Sequence, residues 1–403
     1  MSGVILDISR LISRVRHVTP SGVDRVEMAY ARGLLDAYGQ DLSFAAVHPS
    51  GPYGRLKREA ALAYLDELER RWAHDKEDSR QRSLGSAVPW LTALRPVARG
   101  IGRGTGPGGV LVQVSPHHLT RKGQVGRILA REKARYLVLV HDLIPIEYPE
   151  YARPGGAELH ARRMDTVATH ADAVIVNSQA TGASLTRWMG ANGHKVPPMH
   201  VALLGTEPVS EAPPFGFDDK RPYFLCLGTI EPRKNHLLLL HLWRQMAESL
   251  PAESIPRLVI VGRRGWENEQ ILDLLDRCEA LKPHVTEINR CSDRELAGLL
   301  RGARALVMPS FAEGYGMPIA EALSVGTPVI ASDLPAHREV GGDVSDYRDP
   351  LDGPGWRQAI MDHAAPDGGT LYKEQIARIG GWHAPDWPAH MDIARKAIET
   401  LRR

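Results

Sequence analysis

The chain has 403 residues, with 50 Lys and Arg against 48 Asp and Glu, and it is 43% hydrophobic and 24% charged. The length fits two domains of about 200 residues each, and the balance is that of a globular protein. No apolar run reaches the roughly 18 residues that a membrane span needs. Three scattered cysteines, Cys226, Cys278 and Cys291, exclude a disulfide framework or a zinc site and make a reducing cytoplasm the expected setting.

The near-zero net charge hides an asymmetry. Residues 1–200 hold 27 Lys and Arg against 19 Asp and Glu, so they carry +8 and the remainder −6. Ordinary solvated surface accounts for this. The sharper alternative is an anionic partner for the basic half, either membrane lipid or a phosphorylated acceptor. Nucleic acid is not expected, because the basic residues are not interleaved with aromatics and no helix-turn-helix or RNA-binding signature is present.

In chain order, the opening MSGVILDISRLISRVRH reads as a strand over 4–8 and a basic turn, without the apolar core and cleavage site of a secretory signal. Helical spacing covers 23–37, a strand 42–47, and an amphipathic helix 55–76. Prolines and a glycine-rich stretch predict a loop over 80–109. Strands follow at 110–114, 136–141, 173–177 and 200–204, separated by helices at 124–134, 157–168 and 180–189. Residues 205–221, GTEPVSEAPPFGFDDKR, have no periodicity and read as a linker. The alternation then resumes, with strands at 223–227, 258–261, 285–288, 305–308 and 328–331. Helices lie at 236–249, 267–281, 293–301 and 318–325, and a last helix covers 388–401. Short apolar strands between amphipathic helices predict parallel sheets covered on both faces. Two such blocks predict an α/β protein of two Rossmann-like domains facing a cleft, with chemistry on the loops that follow the strands.

Two of those loops stand out. In 309–321, PSFAEGYGMPIAE, a strand leads through a glycine-containing turn into a helix. Gly314 and Gly316 allow close approach of a ligand to the backbone, and the free N–H groups of a helix start favour an anion or hydroxyls. Glu313 precedes the helix and Glu321 lies two turns later on a similar face. In 227–236, LGTIEPRKNH, Glu231, Arg233 and Lys234 follow a strand and precede a helix. Two cations at a helix N-terminus oppose its dipole unless an anion joins them, and a diphosphate would suit both the cations and the N–H groups.

PSFAEGYGMPIAEALSVGTPVIASD resembles the signature of retaining GT-B glycosyltransferases of the large sucrose-synthase- and mannosyltransferase-like family, glycosyltransferase family 4, which is marked by two glutamates separated by seven residues. LGTIEPRKNH resembles that family's phosphate-binding loop. LVIVGRRGW, CSDRELAGL, HDLIPIEYPE and SGVDRVE are similar to further phrases of it. The resemblance implies domains over 1–205 (acceptor) and 222–384 (nucleotide sugar), a linker over 206–221, and a C-terminal helix, 385–403, returning to the first domain. It implies that Arg233 and Lys234 bind the donor diphosphate and that Glu313 contacts the donor sugar beside Gly314, Tyr315, Gly316 and Met317. It implies Glu321 on the ribose hydroxyls and Glu231 at the donor loop. Gly22 would lie near the diphosphate, and His141 would reach the donor sugar. Arg263, Ser292 and Asp293 would lie near the nucleotide. Some relatives have Arg where this chain has Thr229.

The expected activity is transfer of a hexose, first mannose from GDP-mannose or else a sugar from a UDP donor, to a polysaccharide or lipid-linked glycan. No metal or other cofactor is expected, and the setting is cytoplasmic, with peripheral contact to the inner membrane face as an option. A nucleotide-sugar hydrolase or epimerase and an inactive sugar-binding protein are the rival readings.

Overall fold

The computed structural model describes residues 3–17, 20–48, 51–73, 84–96, 109–207, 209, 211–219 and 221–403. The chain divides into two compact units. The first comprises 1–146, 155–205 and 386–403, and the second 147–154 and 206–385.

The first unit is a seven-stranded sheet in the order β3-β2-β1-β4-β5-β6-β7. Its strands are β1 (Val4–Asp7), β2 (Leu42–Val47), β3 (Tyr53–Arg55), β4 (Gly109–Gln113), β5 (Ala134–Val140), β6 (Ala173–Val176) and β7 (Met199–Val201). All neighbours are parallel except the edge pair β2 and β3. Helices α1 (Ser9–Ser13), α2 (Gly22–Tyr38), α3 (Arg58–Ala73), α4 (Leu84–Ala93), α5 (Lys122–Glu132), α6 (Ile144–Glu147), α7 (Gly156–His170) and α8 (Gln179–Ala191) connect them. The strands are apolar throughout because both faces are covered. On one face Ile5, Tyr136, Val138, Val174 and Val176 pack against Val125, Met164, Val167 and Leu185.

The segment predicted as a loop over 80–109 contains α4. Pro89 reads as a breaker, yet Ala87 and Leu94, seven residues apart on one face, are fully buried, and the Trp90 ring lies 5.4 Å from that of Tyr64. Tertiary burial overrides local propensity here. Residues 74–83 and 97–108, including most of the glycine-rich stretch, lie outside the described residues. The predicted helix over 55–76 begins later, because Tyr53–Arg55 pairs as the antiparallel edge strand.

The second unit is a six-stranded parallel sheet in the order β10-β9-β8-β11-β12-β13. The strands are β8 (Tyr223–Leu227), β9 (Arg257–Val261), β10 (Val285–Ile288), β11 (Ala305–Met308), β12 (Val329–Ser332) and β13 (Asp346–Arg348). Helices α9 (His236–Ser249), α10 (Glu269–Arg277), α11 (Asp293–Gly302), α12 (Met317–Ser324), α13 (Pro335–Gly341), α14 (Gly353–Ala364) and α15 (Thr370–Ile379) cover it. Its core holds Trp243 and Trp356, whose indole N–H groups donate to Pro256 O at 2.7 Å and Asp349 O at 2.9 Å, so neither buried dipole is left open. The expected linker is docked on this unit: Phe215 N–H donates to Gly298 O, and a Cβ at Gly302 would stand 2.0 Å from Phe215 O.

The last helix, α16 (Trp387–Arg402), belongs to the first unit. His390 joins it to the sheet and to α2: Nδ1 donates to Leu203 O at 3.0 Å, so the neutral ring accepts from the Tyr30 hydroxyl at Nε2, 2.8 Å away. Among the described residues, no helix is long and apolar enough to cross a membrane.

Two carboxyls, Asp7 at the end of β1 and Glu27 in α2, are buried in the first unit. Asp7 Oδ1 accepts from Ser9 N–H at 2.8 Å and Glu27 Oε1 from Leu11 N–H at 3.1 Å. Burial raises both, and the charge of Asp7 adds to the effect on Glu27: Asp7 moves to about 6 and Glu27 to about 8. The folded state therefore binds more protons than the unfolded one across this window, and its stability falls as pH rises from about 4 through about 8. Glu27→Gln keeps the acceptor for Leu11 and removes the charge. It should raise the melting temperature at pH 9 and flatten the melting temperature between pH 5 and pH 9. An unchanged pH profile would remove this account.

Candidate active site

In the second unit the strand order reverses between β8 and β11, which pair in parallel through Ala305 with Phe224 and Leu306 with Leu225. Connections from these two strands leave in opposite directions, so the loops after them flank a crevice at their carboxyl ends. Those loops are the two that the sequence singles out.

After β8 the chain makes a 3-10 turn, Pro232–Lys234, and then passes through Asn235 at φ 54°, ψ 35° into α9. Asparagine tolerates this left-handed conformation better than most residues. Its amide Nδ2 donates to Pro309 O at 3.1 Å and Pro350 O at 3.0 Å. Arg233 and Lys234 are therefore fixed against the loop after β11, where Phe311 N–H donates to Arg233 O at 2.8 Å and Arg233 Nη1 donates to Ala312 O at 3.0 Å.

The two cations meet two carboxylates. Arg233 Nε lies 2.6 Å from Glu231 Oε1, and Arg233 Nη1 lies 2.7 Å from Glu313 Oε2. Lys234 Nζ lies 2.5 Å from Glu313 Oε1, which also accepts from Ser310 Oγ at 2.8 Å. Burial by itself would raise Glu313, but the charges of Arg233 and Lys234 outweigh it and hold the carboxyl well below its ordinary range. Glu231, also buried, is raised by burial against the same two cations. The cations at the helix start are thus joined by anions, and these anions are the protein's own side chains.

A third loop is sealed to the first. Gly228 N–H donates to Val261 O, Ile230 N–H to Arg263 O and Gly265 N–H to Ile230 O, and Asn268 Nδ2 donates to Ile230 O at 2.8 Å. A Cβ at Gly262 would stand 1.8 Å from Gly228 O. No side chain fits there, so this glycine sets how closely the loops after β8 and β9 approach.

Residues 210–345 match the family model described as glycosyl transferases group 1. The chain is 29% identical over 228 residues to the serotype-specific mannosyltransferase WbdA of Escherichia coli, covering 52% of this chain and 27% of that protein. It is 39% identical over 132 residues to the O-antigen chain mannosyltransferase B of Escherichia coli, covering 32% of this chain and 33% of that protein. The chain therefore spans about a third or less of the length of these relatives. Its fold matches sucrose-phosphate synthase from Thermosynechococcus elongatus with a TM-score of 0.65 at 18% identity, covering 100% of this chain and 99% of that one. The chain thus has the two-sheet α/β fold of these GT-B neighbours, and its residues 210–345 are those of the glycosyl transferases group 1 model.

The residues expected at the site fall into groups within this GT-B fold. Glu231, Arg233, Lys234 and Glu313 form the ion cluster. Gly314, Tyr315 and Gly316 make the turn from Glu313 to Met317, the first residue of α12, with Gly316 at φ 121° as its cap. Glu321 is half-buried within that helix. Ser292 and Asp293 open α11, and Ser292 is engaged in a capping box: its Oγ accepts from Glu295 N–H at 3.1 Å and its N–H donates to Glu295 Oε2 at 3.0 Å. Arg263 is exposed on the β9 loop, where its carbonyl holds Ile230.

Gly22 and His141 lie in the first unit. Gly22 is the first residue of α2 rather than part of an open loop. His141 Nε2 donates to Val114 O at 2.7 Å, which leaves Nδ1 as the acceptor of the neutral ring. Burial keeps that ring below the ordinary histidine range. The HDLIPIEYPE phrase divides: its last four residues belong to the second unit with Tyr151, whose ring stacks on Phe311 at 5.5 Å.

Asn235, Gly262, Asn268 and Ser310 also build the site, and sequence reasoning passed over them. The signal available was an Asn between a basic turn and an apolar helix, a position that favours the left-handed conformation. Asn235→Ala places a Cβ-bearing residue without a local hydrogen bond at that φ and leaves two carbonyls unanswered, which should cost about 3 kcal/mol. Asn235→Gly loses the same bonds but avoids the strain, so it should be about 1 kcal/mol milder. Chemical denaturation of both variants checks the order, and equal losses would refute the role given to the backbone.

Proposed function

We propose that this protein is a retaining hexosyltransferase that takes a sugar from a nucleotide diphosphate donor and passes it to a glycan or lipid-linked glycan acceptor. One observation carries the reading: two cations sit side by side on a rigid turn at the reversal point of the second sheet, with Glu313 facing both. A diphosphate would take over Arg233 and Lys234 and add the N–H groups around Gly314–Gly316. Glu313 would then be free to accept from hydroxyls of the donor sugar, and Glu321 would serve the ribose.

The chemistry follows from the charges. Breaking the anomeric C–O bond leaves negative charge on the β-phosphate and positive character on the sugar. Fixed cations stabilise the phosphate without rearranging at the moment of reaction, and Arg233 and Lys234 do here what a divalent ion does elsewhere. The departing phosphate oxygen takes the acceptor's proton on the face it leaves, so configuration is retained and no enzyme base is needed. Neutral His141, whose Nδ1 carries the lone pair, is assigned to a hydroxyl of the sugar by the family resemblance. Mannose from GDP-mannose is the first donor, supported by the two Escherichia coli relatives, both mannosyltransferases. The proposed setting is the cytoplasm, with the basic residues of the first half facing an anionic acceptor or the inner membrane surface.

A thermal-shift screen against GDP, UDP and ADP tests the donor, since a ligand of the native state raises its melting temperature. GDP is expected to give the largest shift, and a larger shift with UDP would move the donor to the UDP sugars. Lys234→Ala should lower turnover by about two orders of magnitude or more while the fold is retained. Near-normal turnover in that variant would count against the assignment.

A further inference from the structure

His337, in α13, is fully buried. Its Nδ1 lies 2.8 Å from Ser332 O at the end of β12. A carbonyl oxygen can only accept, so Nδ1 carries the proton, and in the neutral ring Nε2 is a lone-pair acceptor. That Nε2 is buried and has no hydrogen-bond partner among the described residues. The Cδ2–Nε2 side of the ring faces α12, because a Cβ at Gly316 would stand 3.3 Å from His337 Cδ2. Gly316 closes the turn that starts at Glu313. The ring is therefore tied to the sheet by one nitrogen, and its other nitrogen lies on the side that meets the turn.

The charges acting on this ring come from two loops. Glu313, on the loop after β11, favours the imidazolium. Lys234 and Arg233, on the turn after β8, oppose it. Tyr347, in β13, donates its hydroxyl to the His337 carbonyl at 3.2 Å and does not engage the ring. Burial is the leading effect, and with the two cations it keeps the ring neutral and below the ordinary histidine range. In its charged form His337 would in turn hold the Glu313 carboxyl down.

We propose that His337 is a positioning residue coupled to donor binding: when a diphosphate draws Arg233 and Lys234 away from Glu313, Nε2 of His337 takes a proton from solvent and becomes the counter-ion that holds the Glu313 carboxylate. No substrate bond changes in this step. Nδ1 keeps its hydrogen bond to Ser332, and the lone pair on Nε2 receives the proton. The inference rests on the nucleotide-sugar reading above, and it assigns His337 a place in the charge balance of that site. The left-handed cap at Gly316 fits the same role, because a bulkier residue there would press on the ring edge that receives the proton.

Isothermal titration of the protein with GDP and with UDP, at pH 7.5 in two buffers of different ionisation enthalpy, reads protons exchanged on binding. The terminal phosphate of either nucleotide loses protons on meeting cations, which is opposite in sign to uptake by His337. The difference between wild type and variant is therefore the quantity that decides. His337→Asn keeps a donor for Ser332 O but cannot titrate, and Glu313→Gln removes the charge that the imidazolium would answer. Wild type is expected to take up a larger fraction of a proton per nucleotide than either variant, with both variants melting cooperatively. The pH dependence of donor KM between pH 6 and pH 8 should flatten in His337→Asn, whereas a merely structural role would move only stability. Binding with the same proton exchange in wild type and His337→Asn overturns the proposal and leaves the donor reading standing. Failure of wild type to bind any nucleotide overturns both.

Discussion

Two positive charges held on adjacent residues are the constraint around which the second unit is arranged. At about 4 Å, like charges repel by about 4 kcal/mol where the effective dielectric constant is near 20. Arg233 and Lys234 stay together because Glu231 holds the guanidinium from its own turn and Glu313 spans both cations from the next loop. The ion cluster contains as many carboxylates as cations, so it is electrically balanced. A carboxylate that bridges two cations cannot reach them unless its loop is close. Asn235 supplies that closeness by hydrogen-bonding the carbonyls of Pro309 and Pro350. Gly262 supplies it on the other side, where only a hydrogen atom fits against Gly228.

Glu313 and Glu27 show how far the surroundings decide a side chain's chemistry. Both are glutamates withdrawn from water. Glu27 has the carboxyl of Asp7 as its charged neighbour and is pushed up to about 8, so it keeps its proton at neutral pH. Glu313 has Arg233 and Lys234 and is held down, so it is a permanent anion. The stability each carries therefore depends on pH with opposite sign. That of Glu313 is present above the ordinary carboxyl range and lost as pH falls below it, whereas that of Glu27 is greatest at low pH and lost as pH rises. The first unit stores a protonated Glu27 beside Asp7, and the second a charged bridge.

Much of this was legible in the sequence, for reasons that can be named. The strands that carry the site are short apolar runs ending in glycine or proline, and helices with clear amphipathic spacing follow them. That pattern gave the α/β class and put 228–235 and 309–317 on the loops that carry the chemistry. What escaped was of two kinds. Helix α4 was hidden by Pro89, because the burial of Ala87 and Leu94 against distant residues leaves no local trace. The elements between 333 and 380 were not read: β13 has three residues and α13 seven, too few for a period to show, while α14 and α15, of twelve and ten residues, were passed over although long enough to show one. In the site itself the charged residues were visible by type. Asn235, Gly262 and Ser310 were not, because their roles depend on which loops meet, and that is a property of strand order rather than of any one segment.

If a diphosphate claims Arg233 and Lys234 as proposed, the strand order offers Glu313 a further partner outside the two obvious loops. An anion that claims Arg233 and Lys234 leaves Glu313 enclosed, with Ser310 as its hydrogen-bond donor. An enclosed carboxylate that loses its cations must move to solvent, gain a proton or find another positive charge. Movement is opposed by the turn through Gly314 to Gly316, which is anchored as the cap of α12. Protonation would spoil the acceptor that a sugar hydroxyl requires. The third course is the one proposed, a new cation beside the neighbouring strand, β12, whose end already positions His337 through Ser332. A histidine suits this position better than lysine or arginine, because it can be neutral while the two cations are in place and charged once they are engaged.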